Sequence, residues 1–336
     1  MKVLVVIVNY RTPGLTVDCL KSLAPEIARV GDVQVVVTDN KSPDDSVAVI
    51  GDAIKSLGYG SWCRLIPLEK NGGFAYGNNE ALKQYGCSRD ACVAHSTEEL
   101  ATQASQLPKP EYIWLLNPDT IVLDGALTEL VRFMDENPTV GIAGGRAVNR
   151  DMTVRNSAFR FHSPLGEIEG ALRFAPVSKA LKNYIVAPGV PETPEKVDWV
   201  SGASMMIRRE VFEKVGLLDD GYFMYYEETD FCLRAARGDF SCWYVPQSRI
   251  VHLVGQSSGV TGAKRGAKRR PKYWFQSRAR YFKNNHGPLT MHTANVSWLI
   301  AYPAGRLWQL LRGKRRDDPP QLWWDFLRYN YLPCNR

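Results

Sequence analysis

The sequence lacks the features that mark several large classes of protein. Its seven cysteines include no CxxC pair, so neither a zinc site nor a disulfide framework is indicated. Most of the cysteines stand among apolar residues, as buried free thiols do. No apolar run is long enough to span a bilayer. The opening MKVLVVIVNY is short and has no small-residue cleavage site, so it predicts a first buried strand rather than a signal peptide. A reducing, cytoplasmic location is therefore expected.

Acidic residues are missing from one long stretch. Between Phe240 and Arg316 there are 15 lysines and arginines and no aspartate or glutamate, although the whole 336-residue chain carries a net charge of only +7. A mildly acidic body therefore carries a basic C-terminal third, which indicates an anionic partner: a diphosphate, an acidic lipid or a nucleic acid. No RNA- or DNA-binding motif accompanies the charge, so nucleic acid is the least supported of the three.

Three familiar catalytic and nucleotide-binding motifs are also absent. The first predicted strand is followed by VNYRTPGLT and not by the GxGxxG of dinucleotide folds. Neither a Walker A sequence nor a nucleophilic serine elbow occurs, which argues against P-loop phosphoryl transfer and against α/β-hydrolase chemistry. The interpretation that remains is a binding cleft lined by carboxylate and amide side chains, which suits a complex of a metal ion with a diphosphate.

The N-terminal half alternates predicted strands and helices. β-branched runs such as KVLVVIVNY and VQVVVTDN predict strands buried on both faces. Repeated βαβ units predict an α/β fold with a mostly parallel central sheet flanked by helices, and ligands bind beyond the carboxyl ends of such strands. Polar residues fall at those ends: Asn9, Asp39, Asn40, Asn117 and Asp119. Each alone is an ordinary turn former, but together they predict one cleft.

The rest of the chain is less regular. The polar insertion from Gly86 to Pro110 has no readable function. The stretch from Asp151 to Glu195 is rich in proline and aromatic residues, which predicts an irregular, substrate-facing flap. VDWVSGASMMIRREVFEKVG predicts a strand and a helix, and SCWYVP and SRIVHLV predict two short strands.

The segment GYFMYYEETDFCLRAARG, from Gly221 to Gly238, puts an aromatic run against three acids. Acids in the first turn of a helix and arginines in the last fit the helix macrodipole, so a purely structural helix start is one interpretation. The other interpretation is that one of the acids removes a proton from a substrate.

Taken together, the motifs resemble family 2 glycosyltransferases, and most of all the bacterial rhamnosyltransferase-like branch. The resemblance covers roughly residues 2–285 and is carried, in order, by VVIVNYRTPGLTVDCLKSL, VVVTDNKSPDDS, EKNGGFAYGNNEAL, YIWLLNPDT, WVSGASMMIRREVFEKVGLLD, YFMYYEETDFCLR and IVHLVGQSSG. It implies a GT-A fold and inverting, metal-dependent transfer of a sugar from a nucleotide diphosphate in surface-polysaccharide assembly. The leading donor is dTDP-rhamnose, with UDP- or GDP-sugars as alternatives.

The resemblance also implies roles for single residues on the donor side. Asp39 would contact the nucleotide base or ribose, with Asn9 on the same rim. Asp119 of the Asn117-Pro118-Asp119 motif would bind Mg²⁺ or Mn²⁺, and His252 would complete the metal shell unless it is a packed strand histidine. The further donor-binding candidates are Arg11, Asn71, Gly72, Gly73, Asn78 or Asn79, and Asn117.

On the catalytic side, Glu228 falls where the family places the aspartate that acts as general base, and its side chain is one methylene longer. Glu227 is the alternative base, whereas Asp230 is expected to be structural. A catalytically silent nucleotide-sugar-binding protein is the competing hypothesis. The acceptor-binding candidates, each of which could instead be core packing, are Trp199, Ser201 and Gly202.

The predicted domain organisation is a GT-A domain over residues 1–285, with a nucleotide-binding half at 1–150 and an acceptor and catalytic half at 151–285. A basic, amphipathic helical extension follows at 286–336. The basic segment between Gly262 and Arg280 would close over the diphosphate. The segment SWLIAYPAGRLWQLLRGKRR would either lie in the headgroup layer of an anionic membrane or dock on the domain. The first alternative suits a lipid-linked saccharide acceptor at the inner face of the plasma membrane.

Overall fold

The computed structural model of the protein describes residues 1–87, 109–253, 268–314 and 318–332. Most of the polar insertion, the stretch from residue 254 and the first half of the basic segment at 262–280 lie outside the described residues.

The first half of the chain forms the parallel part of a central sheet. Every residue of the first strand is buried, because helices cover both faces of the sheet, and this explains its unbroken β-branched sequence. Strands β1, β2, β3 and β4 lie in the order β3-β2-β1-β4 and pair in parallel. The elements are β1 (Val3–Asn9), α1 (Pro13–Val30), β2 (Val33–Asp39), α2 (Ser46–Ser56), β3 (Cys63–Pro67), α3 (Gly73–Gln84) and β4 (Tyr112–Leu116).

The second half of the chain extends the same sheet as β4-β10-β6-β11-β5. Strand β10 is antiparallel to both of its neighbours, whereas β6 and β11 are parallel to each other. The further elements are β5 (Thr120–Val122), α4 (Ala126–Glu136), β6 (Val140–Val148), β7 (Ala158–Phe159), α5 (Pro164–Leu172), α6 (Ala175–Ala180), β8 (Glu195–Val197), β9 (Trp199–Val200), β10 (Ser204–Arg208), α7 (Arg209–Val215), α8 (Glu227–Arg237), β11 (Ser241–His252), α9 (Lys272–Leu311) and α10 (Leu322–Tyr331).

Two local expectations are wrong. SCWYVP and SRIVHLV are not separate strands, because β11 runs continuously from Ser241 to His252. Its pairing with β6 breaks between Val245 and Arg249, where Pro246 has no N–H to give to the ladder, and this bulge mimics a strand end in the sequence. The stretch from Asp151 to Glu195 is not irregular throughout, since it contains α5 and α6.

The last two helices are docked by one apolar cluster. Phe275, Trp298 and Ala301 of α9 pack with Phe326 of α10 and with Ala171 of α5. Helix α9 is interrupted at Gly287, whose φ of 85° is not helical, two residues beyond the predicted domain boundary. Within the described ranges, no helix combines the length and the apolar character that a membrane crossing requires.

Candidate active site

A cavity of about 540 Å³ opens at the carboxyl edge of the parallel strands. Because β1 and β4 are parallel neighbours, the residues that follow them meet at this edge. Strand β10 runs the other way, so the turn that precedes it arrives at the same edge, where the Asn117 N–H donates to the Ala203 carbonyl at 3.2 Å. The predicted site residues that line the cavity are Asn71, Gly73, Asn117, Asp119, Ser201, Gly202, Glu227, Glu228 and His252.

An acid and an imidazole form one side of this cavity. Thr120 pairs with His252 in the β5–β11 ladder, and this register places the histidine beside Asp119. His252 Nε2 lies 3.3 Å from Asp119 Oδ1, and Asp119 is 1% exposed. Asn117 Nδ2 lies 3.4 Å from the same Nε2 atom. A carboxylate oxygen and an imidazole nitrogen are donors that suit Mn²⁺ and, less well, Mg²⁺.

The two protein donors are too few to enclose an ion by themselves. In the described ranges, no group of three or more histidine, cysteine, aspartate or glutamate side chains converges on one point. The donor set at Asp119 and His252 therefore fits an ion that takes its remaining ligands from a substrate such as a diphosphate, or from water.

Glu227 and Glu228 open helix α8 and line the same cavity. Glu227 is 4% exposed, and Glu228 is partly buried. One Oε2 atom of each is buried with no hydrogen-bond partner among the described residues. The backbone of Gly202 in the turn before β10 lies near the Glu228 carboxylate and favours its charged form. Among the described residues, neither acid forms an ion pair with a cation, although buried carboxylates usually have such a partner.

The environment of this pair strengthens both carboxylates as bases. Burial raises the pKa of Glu227 well above its ordinary value, and repulsion from Glu228 adds to the effect. Burial also raises the pKa of Glu228, while its own backbone N–H and that of Gly202 work in the opposite direction. A carboxylate with a raised pKa holds a captured proton more firmly, which is the property a general base needs.

The loop before α8 is held in a strained shape. Tyr225 and Tyr226 both have φ of 70°, in the left-handed region that bulky residues rarely adopt. Two neighbours fix the loop: the Phe74 N–H donates to the Phe223 carbonyl at 2.9 Å, and Ser277 Oγ donates to the Met224 carbonyl at 2.9 Å. The strained backbone of this loop therefore directs the first turn of α8 toward the cavity.

Several predicted donor-binding residues do not line the cavity. Asn9 Nδ2 donates to Asp39 Oδ2 at 2.6 Å, and Asp39 also accepts from the N–H and Oγ of Ser42, so this network holds the ends of β1 and β2 together. The Arg11 N–H donates to Ser42 Oγ at the edge of the same network. Asn78 donates to the Phe74 carbonyl of its own helix. The remaining members of this group are Gly72, which packs on Tyr76, and Asn79, which donates to the Leu218 carbonyl.

Trp199 lies in the apolar core and not on the cavity wall, contrary to the prediction of a sugar platform. Its indole stacks on Phe159 with ring centroids 4.2 Å apart, and its Nε1 donates to the Arg160 carbonyl at 2.8 Å. The short ladder between β7 and β9 turns the ring inward. Asp230 also lies off the cavity, where it pairs with Arg234, in agreement with the structural role expected for it.

The structure adds cavity residues that the sequence did not single out. Phe223 and Tyr225 belong to the aromatic run that precedes the two glutamates, whereas Asn40, which also lines the cavity, is one of the predicted strand-end residues. Arg270 and Tyr273 lie at the start of α9, more than 40 positions beyond that run. The remaining lining residues are Val8, Tyr10, Phe74, Pro118, Ala203 and Met224.

A mixed central sheet flanked by helices, with carboxylate, amide and imidazole side chains in one cavity at its carboxyl edge, is typical of a glycosyltransferase with a GT-A-type fold. The family model described as "Glycosyl transferase family 2" matches residues 4–216, and the chain belongs to that family. A second model, "Glycosyl transferase family group 2", matches residues 112–329.

Two curated relatives are 26% identical to this chain. One is the "N-acetylglucosaminyl-diphospho-decaprenol L-rhamnosyltransferase" of Mycobacterium tuberculosis, matched over 264 residues that are 76% of this chain and 77% of the relative. The other is the "Low-salt glycan biosynthesis hexosyltransferase Agl10" of Haloferax volcanii, matched over 255 residues. That match covers 74% of this chain and 66% of the relative, so the chain accounts for just under two thirds of that protein.

A solved structure agrees with the fold. The mannosyltransferase PcManGT of Pyrobaculum calidifontis, in complex with GDP-Man and Mn²⁺, has a TM-score of 0.55 and 16% identity, and the likeness covers 93% of this chain and 75% of that one. The α/β fold of GT-A type that the sequence motifs imply is thereby confirmed.

Proposed function

We propose that the protein is an inverting, metal-dependent glycosyltransferase that moves rhamnose from dTDP-rhamnose to a lipid-linked saccharide during surface-polysaccharide assembly. The observation that carries the proposal is that Asp119, His252, Glu227 and Glu228 line one cavity. The name of the mycobacterial relative supports both the sugar and the acceptor class. A UDP- or GDP-sugar is the alternative donor.

The proposed reaction is an in-line displacement at the anomeric carbon. An acceptor hydroxyl is a weak nucleophile at neutral pH, so a carboxylate within hydrogen-bond reach removes its proton as the new bond forms. Glu228 takes this proton, and burial holds the pKa of both carboxylates above the ordinary value of a glutamate. The acceptor oxygen bonds to the anomeric carbon, the bond from that carbon to the diphosphate oxygen breaks, and the nucleoside diphosphate leaves with the bonding electrons.

The negative charge that develops on the leaving diphosphate needs stabilisation. Asp119 and His252 would hold the divalent cation, whose positive charge stabilises diphosphate oxygens when it is bound. Asn117 lies against His252 and orients the imidazole toward Asp119. Asn117 is neutral, whereas a second carboxylate at its position would be anionic. Asp119 and His252 therefore leave more of the charge of the cation available to the diphosphate.

The transfer assay that tests the proposal uses the full chain, a panel of dTDP-, UDP- and GDP-sugars and a short-chain prenyl diphosphate carrying N-acetylglucosamine, with and without Mn²⁺. We expect Mn²⁺-dependent transfer from dTDP-rhamnose, observed by mass spectrometry, and an anomeric configuration opposite to that of the donor, observed by NMR. Retention of configuration would contradict the mechanism. Nucleotide-sugar binding without any turnover would instead favour a catalytically silent binding protein.

The lipid-linked acceptor is supported by an exposed apolar stripe on α9. Spacings of seven, four, seven and four residues put its members on one face of the helix. Each of them is between 48% and 81% exposed, whereas the opposite face of α9 docks in the core. The stripe consists of Leu289, Val296, Ile300, Leu307 and Leu311.

An anionic membrane surface is the partner that this stripe fits. The stripe lies within a stretch that has no acidic residue from Phe240 to Arg316, and Arg306 and Arg312 are the basic residues next to its C-terminal members in the sequence. An apolar face flanked by cations lies in the headgroup layer of anionic lipids, where both the burial of apolar area and the attraction of charge favour binding. Such contact brings the cavity toward an acceptor that is anchored in the bilayer.

Vesicle co-sedimentation tests this contact. We expect Ile300→Glu and Leu307→Glu to abolish binding to anionic vesicles, because each puts a carboxylate in the stripe, while the control Val49→Glu, on the exposed side of α2, leaves binding unchanged. If the stripe variants bind as the wild type does, the membrane contact is refuted. If light scattering instead shows that the stripe variants are monomers and the wild type is a dimer, while vesicle binding persists, the stripe is an interface between two copies of the chain.

A further inference from the structure

Four arginines flank or begin α9, and three of them are fully engaged with carboxylates. Arg269 makes two hydrogen bonds to Asp325, and Arg280 makes two to Asp219. Arg278 is buried against Glu167. These pairs hold α9 against α10, α5 and the loop before α8, so their role is structural.

Arg270 differs from the other three. It lines the active-site cavity, and no ion pair or hydrogen bond joins it to another residue of the described ranges. Its guanidinium lies over the ring of Trp274, 5.1 Å from the ring centroid. Trp274 in turn contacts Tyr226, the last residue before the two glutamates, with centroids 6.3 Å apart. The indole therefore holds a cation in the cavity wall while leaving its N–H groups available.

An aromatic wall stands beside this cation. Tyr273 stacks on Tyr225 with ring centroids 6.1 Å apart and an interplanar angle of 21°. Phe223 completes the wall, 5.2 Å from Tyr273. All three rings line the cavity. Tyr225 keeps its place through the left-handed backbone described above, so the strain that aims α8 also positions one ring of the wall.

We propose that Arg270, Tyr225 and Tyr273 form a subsite that binds a phosphate group and an adjoining ring of a substrate. A planar guanidinium matches two phosphate oxygens at once, and ring faces of tyrosine pack against the apolar face of a sugar or a base. The inference rests on the proposed function, which supplies two phosphate-bearing substrates. The phosphate belongs either to the nucleoside diphosphate of the donor or to the diphosphate that links the acceptor sugar to its lipid.

Arg270 gives this point of the cavity a local positive charge. The described lining contains three carboxylates, at Asp119, Glu227 and Glu228, and Arg270 pairs with none of them. Arg270 is partly buried and lies over the Trp274 ring, so its N–H groups remain available to an anion that enters the cavity. A bound phosphate therefore gives Arg270 an anionic partner, as the carboxylates do for Arg269, Arg278 and Arg280.

Binding titrations of the full chain, with no transfer step, test the subsite. The probes are dTDP, a short-chain prenyl diphosphate carrying N-acetylglucosamine, and a methyl glycoside of the same sugar, which has no phosphate. The variants are Arg270→Gln, Arg270→Lys and the control Lys272→Gln. Lys272 is exposed and lies off the cavity, so its removal deletes one nearby positive charge without touching the wall.

We expect Arg270→Gln to weaken one phosphate-bearing probe by about 10- to 100-fold, the effect of a lost hydrogen bond between charged groups. Arg270→Lys restores part of the affinity, because the charge remains and the planar fork does not. If Arg270→Gln loses affinity for dTDP, then Arg270 binds the diphosphate of the donor. If it loses affinity for the prenyl diphosphate and keeps its affinity for the glycoside, then Arg270 binds the phosphate of the acceptor. If Arg270→Gln matches Lys272→Gln with every probe, the subsite is refuted. If Arg270 binds a phosphate and no transfer is found, the subsite stands and the proposed function fails.

Discussion

The substitution Gly73→Ala tests how the loop before α8 is aimed. Gly73 begins α3 with φ of 89°, and a Cβ atom at this position would lie 1.9 Å from the Phe223 carbonyl oxygen. The neighbouring Phe74 N–H donates to that same carbonyl. An alanine must therefore push back the backbone that leads to Glu227 and Glu228.

Two physical terms set the size of the effect. A left-handed backbone costs an L-residue about 1–2 kcal/mol, and overpacking a tight contact costs about 1–3 kcal/mol more. We therefore expect Gly73→Ala to lower the free energy of unfolding by about 2–5 kcal/mol. To restore a 3.0 Å contact, the loop must shift by about 1 Å, and a displacement of that size at reacting groups lowers kcat by about 100-fold.

The measurements are urea unfolding and the rate of sugar transfer, with Gly58→Ala as the control. Gly58 also has a left-handed φ, of 70°, but a Cβ there meets nothing within 4 Å and the residue is not part of the cavity lining. The control should lose about 1–2 kcal/mol of stability and keep its kcat. If Gly73→Ala keeps a wild-type kcat while it remains folded, then Gly73 does not position the catalytic loop.

Four further predictions concern the cavity and its surroundings. Transfer should increase with pH through a pKa above the ordinary 4.5 of a glutamate, because the pKa values of Glu227 and Glu228 are raised and the base must be ionised; a pH–rate profile measures this. In urea unfolding, Glu227→Gln should gain stability relative to the wild type as pH rises. The pKa of Glu227 is higher in the folded state than in the unfolded state, so its protonation stabilises the wild-type fold below pH 4.5. This contribution to the free energy of unfolding is lost as pH rises through the raised pKa, and Glu227→Gln does not lose it. Asp119→Asn should weaken Mn²⁺-dependent binding of dTDP in calorimetry and leave metal-free binding nearly unchanged. Trp199→Ala should cost about 3–5 kcal/mol of stability without a selective rise in acceptor KM, since the indole is in the core.

The strand ends of the N-terminal half were predictable because their signal is local. Strands β1 and β4 are unbroken apolar runs, and the first polar residue at or after the end of each marks the carboxyl edge. Asn117 and Asp119 follow β4 in this way, and both line the cavity. The same argument names Asn9 and Asp39, but strand-end position does not reveal that these two side chains hydrogen-bond to each other.

The antiparallel strand and the core tryptophan were not predictable in the same way. Strand β10 has the same kind of apolar sequence as a parallel strand, and only its connection through the sheet sets its direction. Trp199 lies on a strand of two residues, which is too short for an alternating pattern to tell the inner face from the outer one. Its inward orientation depends on its partner strand β7, whose residues stand about 40 positions earlier.

The contribution of α9 to the cavity is non-local for the same reason. Arg270 and Tyr273 belong to a basic segment whose composition indicates an anionic partner but not a position. The ion pair between Arg280 and Asp219 and the hydrogen bond from Ser277 to the Met224 carbonyl bring the start of this helix to the loop before α8. These contacts join residues far apart in the chain, and no periodic pattern records them.

The central claim is that a carboxylate of α8 removes the acceptor proton while Asp119 serves the donor diphosphate across the same cavity. Sugar transfer and dTDP affinity, measured side by side for the wild type, Glu228→Gln and Glu227→Gln, test it most directly. We expect Glu228→Gln to lower kcat by about 100- to 10,000-fold with dTDP affinity unchanged, the range for a lost general base. Transfer at the wild-type rate by both glutamine variants would contradict the account.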